Sequence, residues 1–375
     1  MIITQISVDG FKNLKNVIVS PSAGTNVVCG ENAQGKTNFI EAIWILSGAK
    51  SFRGTKERDI VAFDKDFAHI TLKLKDDFRE HEIEVTLSKV PKERRVTLNG
   101  VKQRYLSGLF GTLKCVVFTP EDLELSKGSP DRRRDFIDLC ISQIKPQYAK
   151  TVAKYENVLL QRNALLKNIA VGASRAEDLD VWDEQMARLG AYISVLKYRY
   201  TRKLCIFASK LYDEISGGRE VLDLRYCSTV FENLDGRDDW QGELYEEYLS
   251  LLRKNRSEDI RVGFTVAGVH RDDVAVTVNG NIAREFGSQG QNRSAALSMK
   301  LGQAYILFEE TREMPVMLLD DVLSELDKSR REFVVSKLSG MQVFVTCCEP
   351  VTKLKGKRFR MKDGQIAENI RKKNK

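Results

Sequence analysis

Residues 26–41 read Asn-Val-Val-Cys-Gly-Glu-Asn-Ala-Gln-Gly-Lys-Thr-Asn-Phe-Ile-Glu, and their reading decides the fold. Residues 26–29 are a short apolar run suited to a buried strand. Gly30, Gly35, Lys36 and Thr37 then fit G-x-x-x-x-G-K-[ST], the phosphate-binding loop called Walker A. The glycines let the backbone turn with its N–H groups aimed inward at phosphate. Lys36 supplies a compact cation, and the Thr37 hydroxyl a ligand for Mg²⁺. Phe39, Ile40, Ile43, Trp44 and Leu46 repeat at helical spacing, so a helix N-terminus adds its partial positive charge at the same point. A structural strand-turn-helix is the plainer alternative. The flanking strand and amphipathic helix favour nucleotide binding over it.

A second half lies 284 residues beyond Lys36. Residues 315–319 are an apolar strand that ends on Asp320-Asp321, the Walker B form. A parallel strand beside the Walker A strand would deliver Asp320 to Mg²⁺, and Asp321 could orient or deprotonate the attacking water. Phe286-Gly287-Ser288-Gln289-Gly290-Gln291 precedes a long helix expected over residues 295–310. It reads either as an anion-binding helix N-terminus or as a plain Ser cap. Everything between the two Walker halves is inserted into, or decorates, one nucleotide-binding sheet.

Residues 1–8 and 17–19 are β-branched and alternate, which gives two strands joined by the turn Gly10-Phe11-Lys12-Asn13-Leu14. Strands expected at 69–75, 82–88 and 95–98, the last closed by Asn99-Gly100, make a β-rich lobe. Arg53, between the helix and that lobe, is a surface arginine or a phosphate contact. After residues 115–118 the composition turns helical, and Ser129-Pro130 caps a turn carrying Arg132, Arg133 and Arg134. Tyr148, Val152, Tyr155, Leu159, Leu166 and Ile169 keep 4-3 spacing, interrupted by Arg162. Leu179, Trp182, Met186, Leu189, Ile193, Leu196 and Tyr200 keep a seven-residue repeat that slips by one at Leu204. Together they predict an antiparallel helical hairpin whose longer arm spans roughly 50 Å. Its polar face carries Lys197, Arg199, Arg202, Lys203 and Lys210, a solvated face or a DNA-backbone contact. A helix is expected at 242–254, and strands at 262–266 and 274–278.

The 375 residues exceed what one hydrophobic core usually serves, and 42% apolar with 30% charged residues is an ordinary soluble composition. With neither an 18-residue apolar run nor a signal peptide, the expected location is cytoplasmic. Seven cysteines show no C-x-x-C spacing and the three histidines form no cluster, which argues against disulfides and structural zinc. The net charge of +8 resides in residues 353–375, where ten Lys or Arg face Asp363 and Glu368; the rest of the chain is neutral. That basic end is a solvated tail or a phosphate contact.

The order Ser-x-Gly-Gln, strand-Asp-acid and Ser324-Glu325-Leu326-Asp327 is that of signature motif, Walker B and D-loop in ABC-type ATPases. Over nearly its whole length the chain resembles the RecF family of bacterial recombination and repair ATPases, related to the SMC-like heads. The residues that carry the resemblance are Gly-Phe-Lys-Asn-Leu at 10–14, Gly-Glu-Asn-Ala-Gln-Gly-Lys-Thr-Asn at 30–38 and Lys-Gly-Ser-Pro at 127–130 with Arg133-Arg134. His-Arg-Asp-Asp at 270–273, Gly-Ser-Gln-Gly-Gln at 287–291 and Leu-Leu-Asp-Asp-Val-Leu-Ser-Glu-Leu-Asp at 318–327 complete them.

The resemblance implies an α/β fold, an ABC-type P-loop ATPase head with a β-rich lobe and an inserted α-helical arm domain. The expected division is head at 1–125, arm at 126–258 and head at 259–375. By the same comparison Gly30, Glu31, Asn32, Ala33, Gln34, Gly35, Lys36, Thr37 and Asn38 hold ATP, with Thr37 and Asp320 on Mg²⁺. Asp321 and Lys36 are the catalytic residues. Ser288, Gly290 and Gln291 act across a homodimer on the partner's ATP, and Ser324 and Asp327 belong to the D-loop. Arg132, Arg133, Arg134, Arg202 and Lys203 are the candidate DNA contacts. The implied activity is ATP-dependent dimerisation on single-strand/double-strand DNA junctions, with RecR and RecO in support of RecA loading on gaps, and a weak, DNA-stimulated ATPase as a switch.

Four departures stand out. Ala33 replaces a glycine common in this loop, tolerable if its φ is negative. Asp321 replaces the usual glutamate, and Thr346-Cys347-Cys348 stands where many ABC ATPases have a switch histidine. No obvious Q-loop glutamine follows Phe118, and these last two departures favour slow hydrolysis. The ATP-binding subunit of an ABC transporter shares the motifs, but the long helical hairpin region and the missing histidine argue against it. An ATPase-plus-metal nuclease would need an acidic cluster beyond Walker B.

Overall fold

The structure, a computed structural model, describes residues 1–56, 59–91, 93–348 and 355–367. It divides into two compact units, Met1–Glu124 with Ala296–Lys375, and Leu125–Ala295.

Among the described residues, the first unit holds two six-stranded sheets. One is antiparallel throughout, in the order β2-β1-β4-β5-β6-β7, from β1 (Ile2–Asp9), β2 (Val17–Val19), β4 (Phe67–Lys75), β5 (Glu80–Ser88), β6 (Glu93–Leu98) and β7 (Val101–Gln103). Alternation buries one face: Ile70, Leu72, Leu74, Ile83 and Val85 are fully buried. The β6–β7 turn is Asn99-Gly100 with both φ values positive, the twist that suits a two-residue hairpin.

The other sheet runs β15-β14-β3-β13-β12-β8. Its strands are β3 (Thr25–Cys29), β8 (Cys115–Phe118), β12 (Val316–Leu319), β13 (Val343–Cys347), β14 (Lys357–Lys362) and β15 (Gln365–Ala367), of which β15 alone is antiparallel to its neighbour. β8, β12 and β13 are buried at every position, as unbroken apolar runs in a parallel sheet require. Helix α1 (Lys36–Ile45) follows β3, and Phe39 packs edge-on against Phe344 of β13 at 6.4 Å between centroids. The buried Gln342 side chain ties the sheets together. It accepts from Ile3 N at 2.7 Å and donates to Ile3 O at 2.9 Å and Ser22 O at 2.8 Å. Helix α8 (Lys328–Lys337) completes this unit.

One expectation about this sheet is corrected. The Walker B strand β12 is not the neighbour of β3, because β13 pairs with both and lies between them.

The second unit is helical around a small sheet. Helices α2 (Pro130–Ile144), α3 (Pro146–Ala170), α4 (Asp180–Ser216) and α5 (Glu243–Val262) pack with β9 (Leu222–Cys227), β10 (Asp273–Val278) and β11 (Asn281–Ile282). α4 has 37 residues, about 55 Å at 1.5 Å per residue. The short α6 (Ala283–Phe286) leads to α7 (Gln289–Thr311), and the division between units falls inside α7.

The strand expected at 262–266 is absent. α5 continues to Val262 and stops at Gly263, whose φ of +75° supplies the left-handed C-cap. β9 was not anticipated, although Leu222 and Leu224 alternate inward along it. Because β9 and β10 pair over six residues, they belong with the helices, and the division comes at 295/296 where the sequence suggests 258/259.

Arg162, which interrupts the apolar stripe of α3, is fully buried. Its Nε donates to Asp183 Oδ1 of α4 at 2.7 Å, and its Nη1 to Asp259 Oδ2 of α5 and to Thr265 Oγ1, both at 2.7 Å. Three helices thus share one buried charge. The His-Arg-Asp-Asp run has a similar structural role. His270 Nε2 donates to Thr265 O at 3.1 Å while Nδ1 takes the Tyr155 hydroxyl at 3.0 Å, and burial drives its pKa down to about 4. Asp272 accepts from Thr229 N at 2.6 Å and Thr229 Oγ1 at 2.8 Å.

Candidate nucleotide site

The loop between β3 and α1 is shaped by close approach. A Cβ on Gly30 would lie 2.4 Å from Met361 O of β14, and one on Gly35, at φ +110°, would lie 2.8 Å from Asn13 Oδ1. Both positions therefore exclude side chains. Asn13, from the turn after β1, braces the loop: its Nδ2 donates to Ala33 O at 3.2 Å and its Oδ1 accepts from Asn38 Nδ2 at 2.7 Å. Gln34 is held from the other side, its O accepting from Gly364 N at 3.1 Å and its Oε1 from Asp363 N at 2.5 Å. Lys12, one residue before Asn13, pairs with the fully buried Glu41 of α1.

Ala33 corrects the sequence reading, since its φ is +63°. The position is left-handed, the conformation in which a glycine would be relaxed and an alanine is strained.

Lys36 is 4% exposed, and its Nζ donates to Gly30 O and Glu31 O, both at 2.9 Å. Thr37 Oγ1 donates to Asp320 Oδ1 at 3.1 Å, and Thr346 Oγ1 at the end of β13 donates to the same oxygen at 2.8 Å. Thr346 Oγ1 also accepts from Asp321 N at 2.8 Å, so one hydroxyl holds both acids. Burial pushes the Asp320 carboxyl up from its ordinary range, against the hydrogen bonds from Thr346 and Thr37 and with help from the neighbouring charge of Asp321. Arg53 lies near enough to oppose that rise, and its Nη1 donates to Asn38 Oδ1 at 3.4 Å. Asp321 sits at φ +49°, a strained position for a residue with a side chain.

This donor set fits Mg²⁺. A hydroxyl and a carboxylate, both hard oxygens, converge beside a helix N-terminus that favours phosphate. Among the described residues no group of three or more His, Cys, Asp or Glu could cage a metal, so an ion here needs ligand oxygens to complete its shell.

In the second unit, Ser288 and Gln291 form a reciprocal cap at the start of α7. Ser288 N donates to Gln291 Oε1 at 2.8 Å and Gln291 N to Ser288 Oγ at 3.2 Å. Gln291 Nε2 reaches Glu220 Oε1 at 2.7 Å. Asn292, absent from the sequence reading, fixes the Gly287-Ser288 turn that leads into α7 by donating to Ala283 O, Gly287 O and Ser288 O at 2.9–3.1 Å. Of the D-loop pair, Ser324 Oγ donates to Asp321 O at 2.5 Å and Asp327 caps α8 through Arg330 N at 3.0 Å.

The candidate DNA contacts separate. Arg132 is exposed and Arg134 half-buried, but Arg133 is buried. Its Nε and Nη2 make a bidentate pair with Asp273 at 2.8 Å each, and its Nη1 bonds Gly128 O. Arg133 is therefore a structural ion pair, which corrects its assignment as a DNA contact. On α4, Lys197 is likewise buried against Asp138 at 3.0 Å. Arg199 and Arg202 face Asp238 at 2.8 Å and Asp235 at 2.6 Å, so the acidic 235–239 stretch offsets the charge of this face. Lys203 is half-buried beside them, along a groove that Arg202 and Asp238 also line. Of the basic end, residues 353, 354 and 368–375 lie outside the described residues.

Comparison with known proteins agrees with this geometry. The family described as RecF/RecN/SMC N terminal domain matches residues 2–362. The DNA replication and repair protein RecF of Clostridium acetobutylicum is 36% identical over 98% of this chain and 100% of its own. RecF of Lachnoclostridium phytofermentans is 35% identical over 92% of each. A solved structure of the recombination mediator protein RecF with ATP, of the RecFOR pathway, superposes with a TM-score of 0.90 at 36% identity, covering 98% of this chain and 97% of that one. An Smc head bound to a winged-helix domain of ScpA shares the fold at a TM-score of 0.56 and 16% identity. With an ABC-type α/β ATPase head and relatives that match it end to end, the chain belongs to the RecF family.

Proposed function

We propose that this chain is an ATP-dependent DNA-binding protein of recombinational repair and replication restart. The observation that carries the reading is the meeting of Thr37 and Asp320 at 3.1 Å, from positions 283 residues apart. ATP with Mg²⁺, when bound, supplies the polyanion and the Lewis acid for which these groups are arranged. Residues 30–38 give backbone N–H groups and a helix N-terminus to the phosphates, and Lys36 exchanges its two carbonyl partners for phosphate oxygen. Thr37 and Asp320 would hold the metal. Asp321, held through its backbone N–H by Thr346, orients the attacking water. An aspartate there is one methylene shorter than a glutamate, which suits a slow, switch-like ATPase.

Each chain provides half of a complete site. Ser288, Gly290 and Gln291, pre-ordered by Asn292, act on the nucleotide of a second copy, so that ATP joins a homodimer. The dimer binds gapped DNA through exposed basic residues that include Arg132 and, with its charge partly offset, Arg202. RecR and RecO are the expected partners, RecA loading the expected outcome and the cytoplasm the expected location; the pathway comes from the RecF relative. Among the described residues no helix is long and apolar enough to cross a membrane. The transporter reading is not favoured, because relatives 35–36% identical over 92–98% of this chain are RecF proteins.

The test is equilibrium binding to a gapped duplex across a salt series, with and without ATP. ATP should raise affinity, with a linear fall in log affinity against log salt. Affinity indifferent to ATP would refute the proposal.

A further inference from the structure

Cys29 and Cys347 end the neighbouring parallel strands β3 and β13 and stand directly opposite one another in register. Their sulfurs are 3.2 Å apart. Cys29 is half-buried and Cys347 buried. Both lie at the root of the phosphate loop: Gly30 follows Cys29 in the chain, and Gly30 N donates to Cys347 O at 3.3 Å. The hydrogen bond from Cys347 lowers the Cys29 pKa to about 7 against the effect of burial, with help from the charges of Arg358 and Lys36. That lowering favours the thiolate, the form that reacts with peroxides.

We propose that Cys29 and Cys347 are a peroxide-oxidisable dithiol pair whose disulfide restrains the phosphate loop and weakens nucleotide binding. The Cys29 thiolate attacks one oxygen of hydrogen peroxide; the O–O bond breaks, Cys29 becomes a sulfenic acid and the released hydroxide takes a proton to become water. The Cys347 sulfur then attacks the sulfenyl sulfur, an S–S bond forms, the S–O bond breaks and a second water leaves with the Cys347 proton. Two thiols are oxidised by two electrons in all, and one peroxide is reduced to two waters.

The mechanical consequence follows from distance. A disulfide holds its sulfurs about 2.05 Å apart, so the contact must contract by about 1 Å. Gly30 is wedged against Met361 O, where even a Cβ would come within 2.4 Å, so strand and loop have little slack to absorb the change. The loop carbonyls that position Lys36 move with it.

The effect on nucleotide rests on the reading of residues 30–38 as an ATP loop, whereas formation of the bond does not. The test treats the full chain with hydrogen peroxide, alkylates the remaining thiols, maps linked peptides by mass spectrometry, and measures ATP affinity before oxidation, after it and after dithiothreitol. The expected result is a linked Cys29–Cys347 peptide, about tenfold weaker ATP binding, and recovery on reduction. Cys347→Ser should stop at the sulfenic acid, read as a dimedone adduct on Cys29 with no linked peptide. Recovery of both thiols unmodified, bonds to other cysteines instead, or a Cys29–Cys347 bond with unchanged ATP affinity would overturn the proposal. If the reduced chain binds no ATP, the nucleotide reading fails, and the peptide map still decides whether the pair forms its bond.

Discussion

Thr346 Oγ1 lies 2.8 Å from Asp320 Oδ1 and 2.8 Å from Asp321 N, so a residue of the middle strand sets the positions of both acids at the end of β12. It stands on the strand that separates the two Walker strands. Thr346→Val keeps the shape but leaves Asp320 with one donor fewer and Asp321 N without its acceptor. Loss of such buried partners should cost about 1–3 kcal/mol in urea unfolding and weaken ATP binding in Mg²⁺.

Lys36→Ala should abolish ATP binding and with it the dimer. Ser288→Arg should leave ATP binding by the single chain intact and block the dimer, at a cost of about 1 kcal/mol for the lost cap. Equal loss of ATP affinity in both variants, measured by calorimetry, would remove Ser288 from the shared-site role.

Asp321→Asn should retain the ATP-dependent dimer and slow phosphate release by about tenfold or more, since general-base assistance contributes at least that much. An unchanged steady-state rate would show that Asp321 is not the catalytic acid position.

Asp320 has a pKa raised by burial, so its protonated form is favoured in the folded state. A raised carboxyl contributes stability below its unfolded pKa and loses it as pH climbs through the folded value. Asp320→Asn should therefore unfold at a higher temperature than the parent at pH 7 without nucleotide. The gain should vanish as pH falls below about 4, toward the ordinary carboxylate range.

Ala33→Gly should stabilise the chain by about 1 kcal/mol, because it relieves a left-handed alanine. Urea midpoints of the two proteins check it.

The phosphate loop and Walker B acids could be read from the sequence because phosphate chemistry demands glycines, a cation and a carboxylate at set spacing. The order of strands could not. β12 and β13 are both uninterrupted apolar runs, and nothing in either states which lies beside β3. Arg133 and Arg132 look alike in a charged turn. Only the fold brings Asp273, 140 positions away, onto one of them. The loop that holds Ala33 at positive φ is bonded by Asn13 and by the β14–β15 turn, contacts between distant segments. Arg162 offered a signal as the one charge in an apolar stripe, and its partners come from two other helices. The end of α5 is hidden in the sequence because 262–266 alternates like a strand while Gly263 acts as a C-cap.

The most direct test of the half-site reading is sedimentation velocity of the full chain with Mg²⁺, with and without ATP. The expected result is a single slower species without nucleotide and a dimer with ATP that Lys36→Ala and Ser288→Arg both fail to form. A chain that binds ATP and sediments unchanged would contradict it.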